Sequence, residues 1–200
     1  MIPAFSLSFL SPLLLLAGAA IAFTRPGRRP AGLPWWSEAM AFSALLLSLA
    51  GFVQFFLSGT ASIGVLEGWA HLGLRADPVT LTLALLVSFI GWIVMRYSRT
   101  YLDGEAREGV FHGLMLMTLA AVLVFVQSAS LVVLLAATIA VGLAMKRLLL
   151  FYPSRPEAQR ASTKFSLVWH SGDVALVLAA LMLVARFGTA REVTLDELRV

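Results

Sequence analysis

The chain has 200 residues, 60% of them hydrophobic and 13% charged, with a formal net charge of +4. That balance lies outside ordinary globular usage and makes lipid the main solvent; the basic excess sits in short segments between apolar runs, where the positive-inside rule accounts for it without a nucleic-acid surface. With no cysteine, disulfide frameworks, thiolate metal sites and cysteine nucleophiles are excluded together, and three histidines are left as soft ligands.

The first apolar run, about 3–23, has no positive charge before it and is followed by Arg25, Arg28 and Arg29. This order predicts a retained first helix with its N-terminus outside rather than a cleaved signal. Further runs at about 36–57, 79–98, 109–127, 130–151 and 163–187 complete a set of about six transmembrane helices, because only helices of roughly 20 residues satisfy their backbone across the hydrocarbon. The expectation is therefore an all-α polytopic membrane protein, 1–200 forming a single membrane domain.

Between the second and third runs, Ser58 to Pro78 is too polar to span, with Glu67, His71, Arg75 and Asp77 among apolar residues. Alternation around Ile63 and Val65 predicts a short external hairpin. From Gly109 to Met145 there is no Asp, Glu, Lys or Arg. At about 1.5 Å per residue that stretch is too long for one crossing, and its polar interruption, Gln127 to Ser130, predicts a tight turn between antiparallel helices.

Eleven of the fifteen basic residues then fall on one side: Arg25, Arg28, Arg29, Arg96, Arg99, Arg107, Lys146, Arg147, Arg155, Arg160 and Lys164. That side reads as the cytoplasm, with both chain ends outside and 188–200 an external polar segment or the stump of a longer chain. Trp35, Trp36, Tyr97, Tyr101 and Tyr152 lie at helix ends and read as interfacial anchors. Gly64, Gly91, Gly113, Gly142 and Gly172 are expected to permit bends or close helix approach.

Asp173 lies near the middle of the sixth run, where a carboxylate costs about 2.5–3.5 kcal/mol on insertion scales. His170 at i−3 shares its helix face, and Ser166 extends the polar stripe one turn further. A carboxylate beside an imidazole can exchange protons, while the plainer alternative is a pair that merely holds helices together. Lys164 starts the same helix, about 14 Å from Asp173 by the helical rise, and Lys146 closes the fifth run; both read first as snorkelling anchors and second as path residues. His112 reads as an interfacial histidine, and His71 has no second histidine at ligand spacing, so no metal site or cofactor is expected. Ser171 cannot pair with its neighbour His170 as nucleophile and base, since adjacent helical residues diverge, and no catalytic set emerges.

Three segments carry a family resemblance: DPVTLTLA (77–84), YSRTYLDGE (97–105) and KFSLVWHSGD (164–173). In order and spacing they resemble the first half of the antiporter-like subunits that include the large proton-pumping subunit of respiratory complex I and the Mrp sodium/proton antiporters. LVSFIGWIVMRYSRTYL (86–102) and MKRLLLFYP (145–153) look most like DabB, the membrane subunit of the DAB inorganic-carbon uptake complexes. The resemblance implies a cell inner membrane subunit coupling proton or sodium movement to uptake of carbon dioxide or bicarbonate. Asp173, His170, Ser166, Lys164 and Lys146 would be its ion-path candidates, and a DabA-like partner would carry the zinc and the hydration chemistry. It also implies later helices with central lysines that this chain lacks, so a further chain or a longer protein is expected to supply them.

Two departures stand out: 136–142 contains no match to the glutamate of the family's fifth helix, and His170 stands where the family often has arginine. A respiratory or Mrp-type antiporter subunit and a non-transporting membrane scaffold are the competing readings.

Overall fold

The computed structural model describes residues 5–28, 32–65 and 72–187. A 3-10 turn, Leu7–Phe9, runs into α1, Leu10–Phe23; α2 is Leu33–Ser58; β1, Ala61–Val65, and β2, Leu72–Ala76, follow. The chain continues through α3, Pro78–Tyr101, α4, Glu108–Val126, α5, Leu131–Leu149, and α6, Pro156–Phe187. Five of these helices, α2 to α6, are long and apolar enough to cross a membrane, and Leu7–Phe23 is a shorter apolar helix. Glu67, His71, Arg29 and the 188–200 tail lie outside the described residues.

Small residues make up much of the buried face of α2 and α3, while many large apolar side chains lie outward. Ser37, Ala41, Ala44, Ser48 and Gly51 form one buried stripe of α2, while Leu46, Phe56 and Leu57 lie outward at 48%, 71% and 82% exposure. On α3 the buried stripe is Leu81, Ala84, Ser88, Gly91, Met95 and Ser98. Small side chains let backbones approach where lipid gives no hydrophobic drive between helices. The central packing unit joins Leu15 and Ala19 of α1, Ala41 and Ala44 of α2, Ala84 and Met95 of α3, and Leu116, Ala120 and Leu123 of α4. α4 is the hub, packed against α1, α3 and α5, whereas α6 lies principally against α5.

Among the described glycines, the tightest surroundings are at the basic end. A Cβ on Gly109 would lie 1.9 Å from the carbonyl oxygen of Arg25, so the start of α4 touches the backbone just after α1. Gly91, Gly113 and Gly142 also admit neighbours at less than contact distance, against Leu119, Phe23 and Trp169. Among the described residues a Cβ on Gly172 would meet nothing within 4 Å, and Gly64 lies in β1, so neither is a helix-contact glycine there. At this end Arg99 forms an ion pair with Glu38 and lies over the Trp35 ring, 3.7 Å from its centroid. Trp35, Trp36, Tyr97 and Tyr101 are all more than half exposed there, as interfacial anchors should be. Partial burial, then a hydrogen bond with Glu105, holds the Tyr152 phenol above its ordinary pKa.

At the opposite end β1 and β2 pair antiparallel, with Ile63 opposite Leu74. Asp77 then caps α3 with a reciprocal capping box: its carboxylate accepts from Thr80 N at 2.8 Å while Thr80 Oγ1 accepts from Asp77 N at 2.9 Å. The α4–α5 connection is the tight turn expected from 127–130, and it does more than reverse the chain. Arg75 N donates to Gln127 O at 2.8 Å and Ala129 N to Gly73 O at 2.9 Å, so the turn pairs with β2. Ser130 caps α5, accepting from Val133 N.

The expected helix at 163–187 begins earlier, at Pro156. Proline is well placed in a first helical turn, and the polar segment Glu157–Thr163 extends the helix beyond its apolar part, which an apolar run does not register.

Candidate functional site

α6 carries the polar stripe, and Trp169 fixes how α6 sits. Its indole Nε1 donates to Thr138 O of α5 at 3.2 Å, and its ring fills the notch at Gly142, where a Cβ would fall 2.2 Å from Nε1. Phe165 stacks on the same indole, with centroids 5.2 Å apart. The next residue after this anchor is His170, so the anchor sets the rotation of the stripe.

His170 Nδ1 and Asp173 Oδ2 are 3.2 Å apart, the i, i+3 pairing expected from the sequence. Their surroundings differ: the His170 side chain is 51% exposed and that of Asp173 only 12%. Asp173 Oδ1 is buried and has no hydrogen-bond partner among the described residues. The pair therefore lies at the margin of the described bundle, one residue on from the Trp169 anchor to α5, and one carboxylate oxygen still has acceptor capacity. Ser166, half-buried, continues the face toward the basic end. Lys164 is exposed and Lys146 half-buried, and among the described residues neither pairs with Asp173. The structure thus brings together two of the five expected path residues. No cluster of three His, Cys, Asp or Glu side chains is present among the described residues.

Other buried polar groups were not legible as a set. Ser11 donates to Ala44 O at 3.2 Å and lies 3.3 Å from Ser48 Oγ, which lies 3.0 Å from Ser88 Oγ; this hydroxyl chain joins α1, α2 and α3. One turn nearer the hairpin end, Ser8 donates to Gln127 Oε1 at 3.4 Å. Serines spaced among alanines and glycines in one stripe are the sequence signal for such contacts. His112, read from the sequence as interfacial, lies one turn into α4 and is fully buried, and among the described residues neither ring nitrogen has a hydrogen-bond partner. Glu108, one turn before it on α4, is also buried and accepts from Gly104 N at 3.2 Å. The start of α4 packs closely on α1 and the backbone after it, with Gly109 at Arg25 O and Gly113 at Phe23, contacts between helices that its own sequence does not signal.

Residues 67–112 match the family model for the N-terminus of chain 5 of NADH-ubiquinone oxidoreductase (complex I). The chain is 35% identical over 183 residues to the probable inorganic carbon transporter subunit DabB2 of Halothiobacillus neapolitanus, covering 86% of this chain and 32% of that protein. To the probable inorganic carbon transporter subunit DabB of Hydrogenovibrio crunogenus it is 31% identical over 160 residues, 77% of this chain and 29% of that one. Among solved structures, that of the Mrp complex from Dietzia sp. DQ12-45-1b superposes with a TM-score of 0.76 at 26% identity, covering 91% of this chain and 20% of the matched one. The chain spans about a third of the length of the curated relatives it matches.

Proposed function

We propose that this chain, a DabB-like member of the antiporter-like superfamily, forms part of the membrane subunit of a cation-coupled inorganic-carbon uptake complex. The observation that carries the reading is the His170–Asp173 pair in the apolar part of α6, 3.2 Å between Nδ1 and Oδ2. A proton passing from imidazolium Nδ1 to the carboxylate converts a charged pair into a neutral one, so the pair can hold or release a proton at this depth. The unpartnered Asp173 Oδ1 offers a second position for the exchange. Ser166, Lys164 and Lys146 would lead from the basic end toward the pair.

The remainder of the path, a DabA-like zinc-containing partner carrying the hydration chemistry, and an inner-membrane location belong to the same proposal. A respiratory or Mrp-type role is the second reading, favoured by the complex I match over 67–112 and the likeness to the Mrp complex.

Asp173→Asn preserves shape and removes the titratable charge. In cells that depend on the complex at low carbon dioxide, it is expected to abolish uptake at normal assembly. Normal uptake at equal expression overturns the assignment, and loss of assembly makes the pair structural. The basic end is proposed to face the cytoplasm. Because the chain has no cysteine, a single cysteine at Ser154 reports this directly. It should be shielded from an impermeant thiol reagent outside intact cells, and labelling there would reverse the orientation.

A further inference from the structure

Over α4, between α1 and α5, lies an open apolar groove of about 620 Å³. Its floor includes Ala120 and Val124 of α4, and Leu16 of α1 contributes to one wall. The other wall is a single face of α5, running through Val133, Ala137 and Ala140 to Arg147. Those positions follow the helical period, so the guanidinium continues the same stripe that lines the groove. Arg147 is the charged residue of the lining, is exposed, and has no ion-pair partner among the described residues.

We propose that this groove is a binding site for an anionic phospholipid, with acyl chain along the alanine-lined cleft and phosphate on Arg147. Three features favour a lipid. Its volume falls within the roughly 300–1,000 Å³ typical of small-molecule sites. Its lining is apolar up to one cationic end, matching an amphiphile whose charge sits at one terminus. The guanidinium presents a planar fork suited to a phosphodiester, at the end where the basic residues gather and an anionic leaflet surface would attract them. An apolar helix seated here would leave Arg147 to water, whereas an anionic lipid brings a complementary charge to it in its head group.

The test uses the full chain with whatever subunits co-purify, equilibrated in mixed micelles of equal dioleoyl-phosphatidylglycerol and dioleoyl-phosphatidylcholine, with bound lipid counted by native mass spectrometry. Wild-type protein is expected to retain phosphatidylglycerol about fivefold over phosphatidylcholine, on the scale of one basic side chain at an anionic surface. Arg147→Gln should bring that ratio close to one, and Arg147→Lys should keep most of it. Ala140→Phe, which fills the cleft, should lower retention of both lipids. Equal preference in wild type and Arg147→Gln overturns the proposal. So does unchanged retention in a folded Ala140→Phe protein, or Ala140→Phe displacing a co-purifying chain while lipid binding persists. If Ala140→Phe fails to fold, the Arg147→Gln and Arg147→Lys ratios decide alone.

Discussion

Within α1, α2 and α3, Ser11, Ser48 and Ser88 are buried and satisfy one another across three helices, whereas the His170–Asp173 pair of α6 stands at the bundle margin with its imidazole half exposed. The first arrangement is closed: each hydroxyl has a neighbouring oxygen, and none is titratable. The second is open, with an imidazole half exposed, a carboxylate oxygen unpartnered among the described residues, and a helix whose Trp169 seats in the Gly142 notch. The contrast separates two uses of polarity in lipid. Hydroxyls between small-residue stripes join helices, whereas the ionisable pair at the margin keeps one side chain half exposed.

The comparison can be broken by substitutions that act on one side of it. The largest effect is expected from Gly109→Leu, because even a Cβ there would collide with the Arg25 carbonyl, which is backbone and has no rotamer with which to yield. A loss of at least about 3 kcal/mol, at the upper end for overpacking, should appear as a strongly lowered unfolding temperature in detergent. A normal transition would mean that α1 and α4 separate freely.

Gly142→Ala tests the open side. Its methyl would press on the Trp169 ring, costing about 1–3 kcal/mol and turning α6 away from α5. Trp169→Ala should relieve that pressure, so the double variant is expected to be less destabilised than the sum of the singles. Strict additivity would show that the notch does not seat the indole.

The smallest effect is expected for Ser48→Ala, which removes the middle hydroxyl of the chain. Ser11 keeps Ala44 O as acceptor, so the loss should be about 0.6–1.7 kcal/mol, with transport by assembled protein unchanged. Transport loss at normal stability would move the hydroxyl chain from packing to function.

Much of the path of the chain was legible in the sequence because apolar length is a strong signal and the breaks are chemically sharp. The 127–130 turn and the hairpin at Ile63 followed from polarity and alternation. Which side of each helix faces inward was far less legible. α4 is apolar all round from Val110 to Val126 apart from His112 and Thr118, so periodicity carried no direction and did not show that His112 would be enclosed. The i, i+3 relation of His170 to Asp173 was readable because it is local. The seating of that pair depends on Trp169 meeting Gly142, a contact between residues on different helices that spacing alone does not encode.

The joining of the α4–α5 turn to β2 has a consequence for biogenesis. Gly73 N donates to Ser130 Oγ at 3.5 Å, from 57 positions away, beside the backbone bonds at Arg75 and Ala129. At a synthesis rate of about 5–20 residues per second, β2 therefore emerges roughly 3–11 seconds before the turn that completes its edge. During that interval the two-stranded hairpin has an unfilled row of backbone donors and acceptors, and two strands alone are marginally stable in water. The arrival of the α4–α5 turn thus works as a late latch, tying the start of α3 to the far end of a helix pair inserted after it.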